Sequence, residues 1–417
     1  MQKPLSTAII GGGATGLFLA TRLFATNGAV AVFERGNRVG RKLSATGNGQ
    51  GNISNLAVEE ADYFSVEQGG NDLARSIITR YPYSEFKAHM EKLGLLLLPD
   101  DRGRVYPTGR QASAITDALR FAVEQKGIPM YLNTQVTRLE KQEDLFRITA
   151  NTADGEREYF AKNVVLCTGG KASKNFGTDG TAYALAQGFG HTLTTLYPSL
   201  VQLKTETKKI KTLKGIRVSP ARVTATWQEQ GVKKSHAVDG DILFTDYGVS
   251  GDAIFRLSAF FTHAISTGVK LSIHFLPEFT AETIEHTLRK KRALLPNLPF
   301  EELLGGIVNN QVGRAVIKSV GKEDLHAIAN AVCAFEIEVL GTLGFDYAQV
   351  TKGGIPVNEV TSELQSKFAD GLYLAGEILD IDGQCGGFNL QWAFSSSACI
   401  AGELNGKYAK EWGQVCV

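Results

Sequence analysis

The chain has few cysteines, and the five present (Cys167, Cys333, Cys385, Cys399 and Cys416) are scattered and odd in number, with no C-x-x-C pair. That pattern argues against a disulfide framework or a thiolate zinc site and fits a reducing cytoplasm. A charge bias is also missing. The net charge is +1, from 44 Lys and Arg against 43 Asp and Glu. Electrostatics therefore make no case for nucleic acid or an anionic membrane as partner, and a small-molecule substrate is the expectation. Oligomeric state stays open. No window of about 20 residues is free of charge and glycine as a membrane span requires. The first residues lack the basic stretch and long apolar run of a secretory signal. Internal repeats and low-complexity segments are absent.

Glycine, by contrast, is abundant: 45 of 417 residues, clustered around 11–16, 47–51, 169–180 and 383–387. Clusters of this kind suit backbone-lined ligand loops. The length exceeds what one hydrophobic core supports, so two or three domains are expected. Hydrophobic content of 43% and charged content of 21% are ordinary for a globular protein.

Residues 6–34 are the most informative stretch. A buried-type strand, Thr7 to Ile10, runs into Gly11-Gly12-Gly13-Ala14-Thr15-Gly16 and then into a helical run, Leu17 to Phe24. A second apolar run, Ala29 to Phe33, ends on Glu34. This is the strand–turn–helix–strand setting in which G-x-G-x-x-G binds a dinucleotide. Gly11 allows the tight turn, Gly13 lets backbone approach a pyrophosphate, and Gly16 permits close helix–strand packing. The helix N-terminus offers unpaired N–H groups to phosphate. Glu34 is placed to accept from ribose hydroxyls, which favours FAD or NAD and repels the 2′-phosphate of NADP.

Further along, residues 71–94 and 111–126 have helical spacing, and 129–160 read as strands that include a small antiparallel meander. Asn163 to Leu166 is another buried strand, ending at Thr168-Gly169-Gly170. Residues 200–275 alternate in a β-like way, and 280–331 are helical and charged. The basic run Arg289-Lys290-Lys291-Arg292 reads as a solvated helix face. Gly371 to Glu377 is a strand ending in a small-residue turn, and Leu390 to Leu404 is a last apolar helix. The nucleotide fold is thus built from both ends of the chain and interrupted by a β-plus-helical insert. Glycine loops would converge at the carboxyl edge of one parallel sheet, where doubly wound folds bind ligands. Gly376-Glu377 would meet the sugar or ribityl chain. The helix opened by Gly386-Gly387 would face the pyrimidine edge of a flavin.

The ordered motifs GGGATG, GRKLSATGNGQGN, GRVYPTGRQAS, VVLCTGG with GTDGTAYALAQGFGH, LFTDYGVSGDAIFRLS, QVTKGGI and GLYLAGEILDIDGQCGGFNLQWAFSSS run across nearly the whole chain. Together they resemble the bacterial flavoprotein family that includes aminoacetone oxidases and BaiN-type bile-acid reductases. The resemblance implies an α/β fold, with a split Rossmann-like, glutathione-reductase-like FAD-binding domain (1–193 and 344–417). It also implies an inserted β-barrel (194–279 and 332–343) with a small helical subdomain (280–331). By the same resemblance, Gly11, Gly13, Thr15, Gly16, Glu34, Arg41, Lys42, Gly47, Asn48, Gly49, Asn52, Val136, Gly169, Gly376, Glu377, Asn389 and Leu390 match FAD-contacting positions. Two departures stand out. Gln50-Gly51 replaces the family's Arg-Cys beside the flavin, and Asp252 sits where a proline commonly follows Ser-Gly.

These features lead to an FAD-dependent oxidoreductase that passes hydride through flavin N5. Only one complete fingerprint is visible, so NAD(P)H would be a transient co-substrate over the flavin. Reduction of an activated C=C bond is the leading direction. An oxygen-using amine oxidase is the alternative, and a flavin-binding sensor or docking module is the reading from another class. No catalytic acid or base is singled out. Cys385, His191, Tyr106, Tyr183, Tyr197 and Tyr247 are candidates, each set against a plain packing or capping role. Asp380 and Asp382 suit either flavin contact or turn chemistry. The Lys171–Lys174 pair reads as solvated.

Overall fold

The computed structural model describes residues 3–24 and 29–412. Cys416 lies outside them. Contacts divide the chain into two compact units, 1–197 with 350–417, and 198–349.

The first unit is organised by a seven-stranded sheet. Its path runs Met130–Tyr131, Val30–Phe33, Leu5–Ile10, Gly155–Leu166, Leu145–Thr152, Gln135–Gln142, and Leu372–Leu374 pairs with Gly155–Leu166. The first strand is parallel to both neighbours, with Ile10 opposite Phe33 on one side and Leu166 on the other. Ala8, Ile9, Val32, Val164 and Val165 are fully buried. This is why these strands read as unbroken apolar runs rather than alternating ones. The register also brings Gly11, Glu34, Cys167 and Ala375 to one edge, because each follows directly on a paired strand. Strand Gly155–Leu166 is longer than its apolar half suggests. Its polar first half pairs antiparallel with Leu145–Thr152, and its end joins the parallel core.

Helix Ala14–Arg22 packs against the closing helix Phe388–Trp412. Phe18 and Phe394 meet at 4.9 Å between ring centres, and Phe394 stacks on Phe86 at 4.6 Å. Small residues on the closing helix let the two backbones approach: Ser397 donates its hydroxyl to the Thr15 carbonyl at 2.9 Å. The closing helix also reaches the first strand, where the Tyr408 and Thr7 hydroxyls pair. The helical spacing over 71–94 resolves into two helices, Gly70–Arg80 and Tyr83–Lys92. Pro82 has no N–H to continue the first and sits at the N-cap of the second.

In the second unit the expected barrel is present and closed. Its order is Leu203–Thr205, Gly248–Ser250, Val232–Phe244, Arg217–Glu229, Val269–His274, Phe335–Thr342, which returns to the first strand through Leu203 opposite Thr342. Alternation is clean: Phe335, Ile337 and Val339 are buried, and Glu336 and Glu338 face out. A helix, Asp252–Phe261, interrupts the stretch read as β-like. Its Ile254, Leu257 and Phe261 recur at helical spacing and are fully buried. Helices Ala281–Leu294, Asn310–Val320 and Leu325–Cys333 add Leu288, Val316, Ile328 and Val332 to the same core. The basic run is not simply solvated. Lys291 donates to the carbonyls of Leu303 and Gly305, and Arg292 to that of Leu298, so the run ties down the following loop. Among the described residues no helix is long and apolar enough to cross a membrane, and no His/Cys/Asp/Glu group is arranged to hold a metal.

Candidate dinucleotide site

The fingerprint turn is shaped by contacts that admit no side chain at two of its glycines. Gly11 has φ +109°, and a Cβ there would lie 2.4 Å from the Cys167 carbonyl oxygen. A Cβ on Gly16 would lie 2.0 Å from the Gly11 carbonyl oxygen. Gly13 is different: a Cβ on it meets nothing within 4 Å. The turn is therefore packed from below and open above, at the N-cap of helix Ala14–Arg22. An anion can reach the helix N-terminus there.

Glu34 anchors the adjoining loop. Its carboxylate accepts from the Gly12 N–H at 2.9 Å and the Gly36 N–H at 2.6 Å. Each carboxylate oxygen has a second lone pair available to a ribose hydroxyl. The Glu34 carbonyl accepts from the Thr134 N–H at 2.9 Å, which sets Val136 two residues from this contact. Val136 itself is buried in the meander opposite Ala150.

Lys42 and Glu377, 335 positions apart, form an ion pair at 2.8 Å. The other Glu377 oxygen accepts from the Thr351 N–H at 2.9 Å. Gly169 and Gly376 bring backbone to the same place. A Cβ on Gly376 would strike the Thr15 hydroxyl at 2.6 Å, and one on Gly169 would lie 3.9 Å from Glu377. Trp392 fixes this turn by donating its indole N–H to the Gly376 carbonyl at 3.1 Å. Thr15, Lys42, Gly169, Gly376 and Glu377 thus gather beside the fingerprint. Arg41 donates to the Asn175 carbonyl at 2.7 Å.

A second group gathers at the start of the closing helix. Gly47, Asn48 and Gly49 all take positive φ, and Gly49 is open above like Gly13. Asn52 is buried and donates to the Ser54 and Val105 carbonyls. Ser54 donates to Gln391 at 2.7 Å, which joins this loop to the closing helix. The Asn389 amide bonds Gly383 N–H and carbonyl, each at 2.8 Å, and so shapes the loop before Gly386-Gly387. Leu390 is half-buried beside it.

Two open glycine turns, a helix N-terminus, two cations and a ribose-competent carboxylate together offer the groups that an extended dinucleotide requires. A separate cleft of about 730 Å³, lined by Arg38, Ser44, Thr116, Ile128 and Met130 among others, contains none of the fingerprint residues.

Several other candidates hold neighbouring segments together. His191 is buried, with Nδ1 2.8 Å from Glu359 and Nε2 2.7 Å from Ser366. The Ser366 oxygen also accepts from the Phe368 and Ala369 N–H groups, which saturates it as a tie between loops. Asp380 accepts from the Val66 and Glu67 N–H groups, while burial pushes its pKa up. Asp382 is fully buried and paired with Lys352 at 3.0 Å. Burial also raises the Tyr183 phenol, whose hydroxyl has no hydrogen-bond partner among the described residues. Tyr106 is buried with the Arg110 guanidinium over its ring. Cys385 is half-buried in the loop before Gly386. The sequence offered no signal for Arg35, which pairs with Asp179 from 144 positions away.

Over residues 5–404 the chain matches the family described as HI0933-like protein Rossmann domain. It is 33% identical to the 3-dehydro-bile acid delta(4,6)-reductase of Clostridium scindens, across 97% of this chain and 98% of that protein. The chain belongs to the HI0933-like family. That places it among FAD-dependent oxidoreductases. Two further relatives are ribosomal RNA dihydrouridine synthases. The one from Haemophilus influenzae is 28% identical over 96% of this chain and 98% of its own. The one from Escherichia coli is 28% identical over 95% and 97% respectively.

Proposed function

We propose that this family member is an FAD-dependent reductase that saturates a C=C bond conjugated to a carbonyl in a small or apolar substrate, with NAD(P)H as electron donor. One observation carries the reading. Relatives matched along nearly their whole length are named for the same kind of chemistry on unlike molecules, a delta(4,6) reduction in a 3-dehydro bile acid and the formation of dihydrouridine. FAD, when bound, supplies hydride at flavin N5. The protein's part is to hold and orient. Gly13 and the helix behind it receive the pyrophosphate, Glu34 the ribose, and Glu377, neutralised by Lys42, the polar linker toward the flavin. The closing-helix N-terminus, shaped by Asn389 and Gly387, supports negative charge on the flavin's pyrimidine edge.

An anaerobic mixing experiment tests this. The FAD-loaded protein is combined with NADH or NADPH while flavin absorbance is followed, and then offered a cyclic enone, uridine or an amine. Bleaching by a nicotinamide and recovery with the enone is the expected result. Bleaching by the amine instead, with oxygen consumption and no NAD(P)H oxidation, would establish an amine oxidase.

A further inference from the structure

We propose that the cleft of about 730 Å³ along the outer edge of the seven-stranded sheet is a second ligand site, suited to a small molecule with an apolar body and one carboxylate. The inference goes beyond the FAD site and does not depend on it. None of the residues that line the cleft is among those assigned to the cofactor.

The floor of the cleft explains the apolar body. Strand Met130–Tyr131 is the end of the sheet's path, with no strand beyond it. Val39 and Ile128 are buried beside it, and Pro129 and Met130 continue the apolar lining. Leu132 is 40% exposed, so one large apolar side chain of the lining stands in solvent. The volume lies within the range of pockets that enclose small molecules.

The walls are braced. The Gly40 N–H donates to the Gly12 carbonyl at 2.8 Å, which fixes the loop that carries Arg38 and Val39. The Ser44 and Thr116 hydroxyls pair at 2.9 Å and join this wall to helix Ala112–Gln125. A cleft held from both sides is formed before its ligand arrives, which lowers the cost of binding.

The polar groups sort into engaged and open. On the helix wall, Arg120 donates to Glu124 at 2.8 Å and to Asp117 at 3.4 Å, and its guanidinium lies 4.0 Å from the centre of the Phe121 ring. These three charges hold one another. Arg38 has no ion pair and no side-chain hydrogen bond among the described residues, and neither has the Ser113 hydroxyl. The strand edge adds a donor and an acceptor. The Pro129 and Tyr131 carbonyls each accept from strand Val30–Phe33 or the residue after it, at 2.9 Å. Carbonyls alternate along a strand, so the Met130 carbonyl and N–H point off the open edge. The one uncommitted charge is therefore a guanidinium, whose fork matches a carboxylate. A single cation balances one carboxylate better than a doubly charged phosphate.

The test uses 2-naphthoate, an aromatic carboxylate, with 2-naphthol as its uncharged counterpart. Calorimetry follows binding to the full chain in its FAD-loaded form, and thermal unfolding reports on folding. The parent should bind naphthoate more tightly than naphthol. Arg38→Ala should weaken naphthoate about fivefold to tenfold, the scale of one partly exposed charge-assisted contact, and leave naphthol within about twofold. Arg38→Lys keeps the charge without the fork and should fall between parent and Arg38→Ala. Ser113→Trp fills the cleft and should abolish binding of both. Melting temperature and FAD content should stay at the parent's values throughout. Should Ser113→Trp fail to fold, Leu132→Asp takes its place by setting a like charge at the opening. Naphthoate that fails to bind at millimolar concentration overturns the site. So does naphthoate bound equally by the parent and by Arg38→Ala, or lost no more than naphthol is. A chain that takes up no FAD counts against the cofactor site alone, because the same titrations run on it unchanged.

Discussion

Replacing Gly13 and Gly16 by alanine, one at a time, separates cofactor binding from folding within four residues. At Gly13 the backbone angles are φ −82° and ψ −166°, a region open to any residue, and the added methyl meets no protein atom within 4 Å. Loss of glycine's freedom in the unfolded chain should stabilise the cofactor-free protein by about 0.4–1 kcal/mol. The same methyl stands in the open space above the turn, where a pyrophosphate must approach the backbone. Losing one charged hydrogen bond there costs about 1.5–3 kcal/mol, or roughly tenfold to a hundredfold in FAD affinity. At Gly16 the methyl would lie 2.0 Å from the Gly11 carbonyl oxygen and 3.1 Å from Ile9. The turn must shift, at a cost of about 1–3 kcal/mol or more, so that variant should melt earlier even without cofactor. Thermal unfolding of cofactor-free protein and FAD titration by fluorescence read the two effects. The reasoning fails if Gly13→Ala binds FAD as well as the parent, or if Gly13→Ala loses stability while Gly16→Ala does not.

Three further outcomes follow from the first unit. Burial, aided by Arg22, Lys126 and Lys92, pulls the His89 pKa from 6.5 down to about 4. The unfolded chain therefore binds the proton first, so this contribution is full above about pH 6.5 and is lost as pH falls toward 4. The drop is worth about 3 kcal/mol at most and about half that after allowance for solvent screening. Denaturant unfolding at about pH 7.5 and pH 4.5 should show the loss in the parent and a smaller one in His89→Gln. Lys352→Met removes the ion pair to buried Asp382 and should cost about 3–5 kcal/mol in urea unfolding, with much of it recovered in K352M/D382L. Glu34→Ala removes the acceptor for the Gly12 and Gly36 N–H groups as well as the one offered to ribose. FAD retention on a desalting column should fall, by about 1.5–3 kcal/mol in affinity, and unchanged retention would count against the ribose role.

What the sequence reveals and what it hides divide by distance along the chain. The fingerprint was legible because strand, turn, helix and acid lie within residues 5–34, each element signalled by its own residues. The barrel's alternation was legible for the same reason. Pro82 could have announced the break between two helices, but the apolar spacing on both sides masked it. Helix Asp252–Phe261 was hidden between strands because its apolar positions sit among residues with β character. The ties Arg35–Asp179, His191–Glu359 and Lys42–Glu377 span 144, 168 and 335 positions, and nothing local marks their partners. Asp380 and Asp382 had two open readings, and the structure gives both to holding neighbouring segments in place. Asn389 likewise uses its amide to shape the loop that precedes its own helix.

The closing helix lies against the first helix, and Tyr408 reaches Thr7 across 401 positions. During synthesis the glycine turn is made long before the surface that covers its helix. Phe18 and its apolar neighbours must wait in the interval with that flank uncovered. The cradle for a nucleotide takes its final shape only once both of these distant stretches have met.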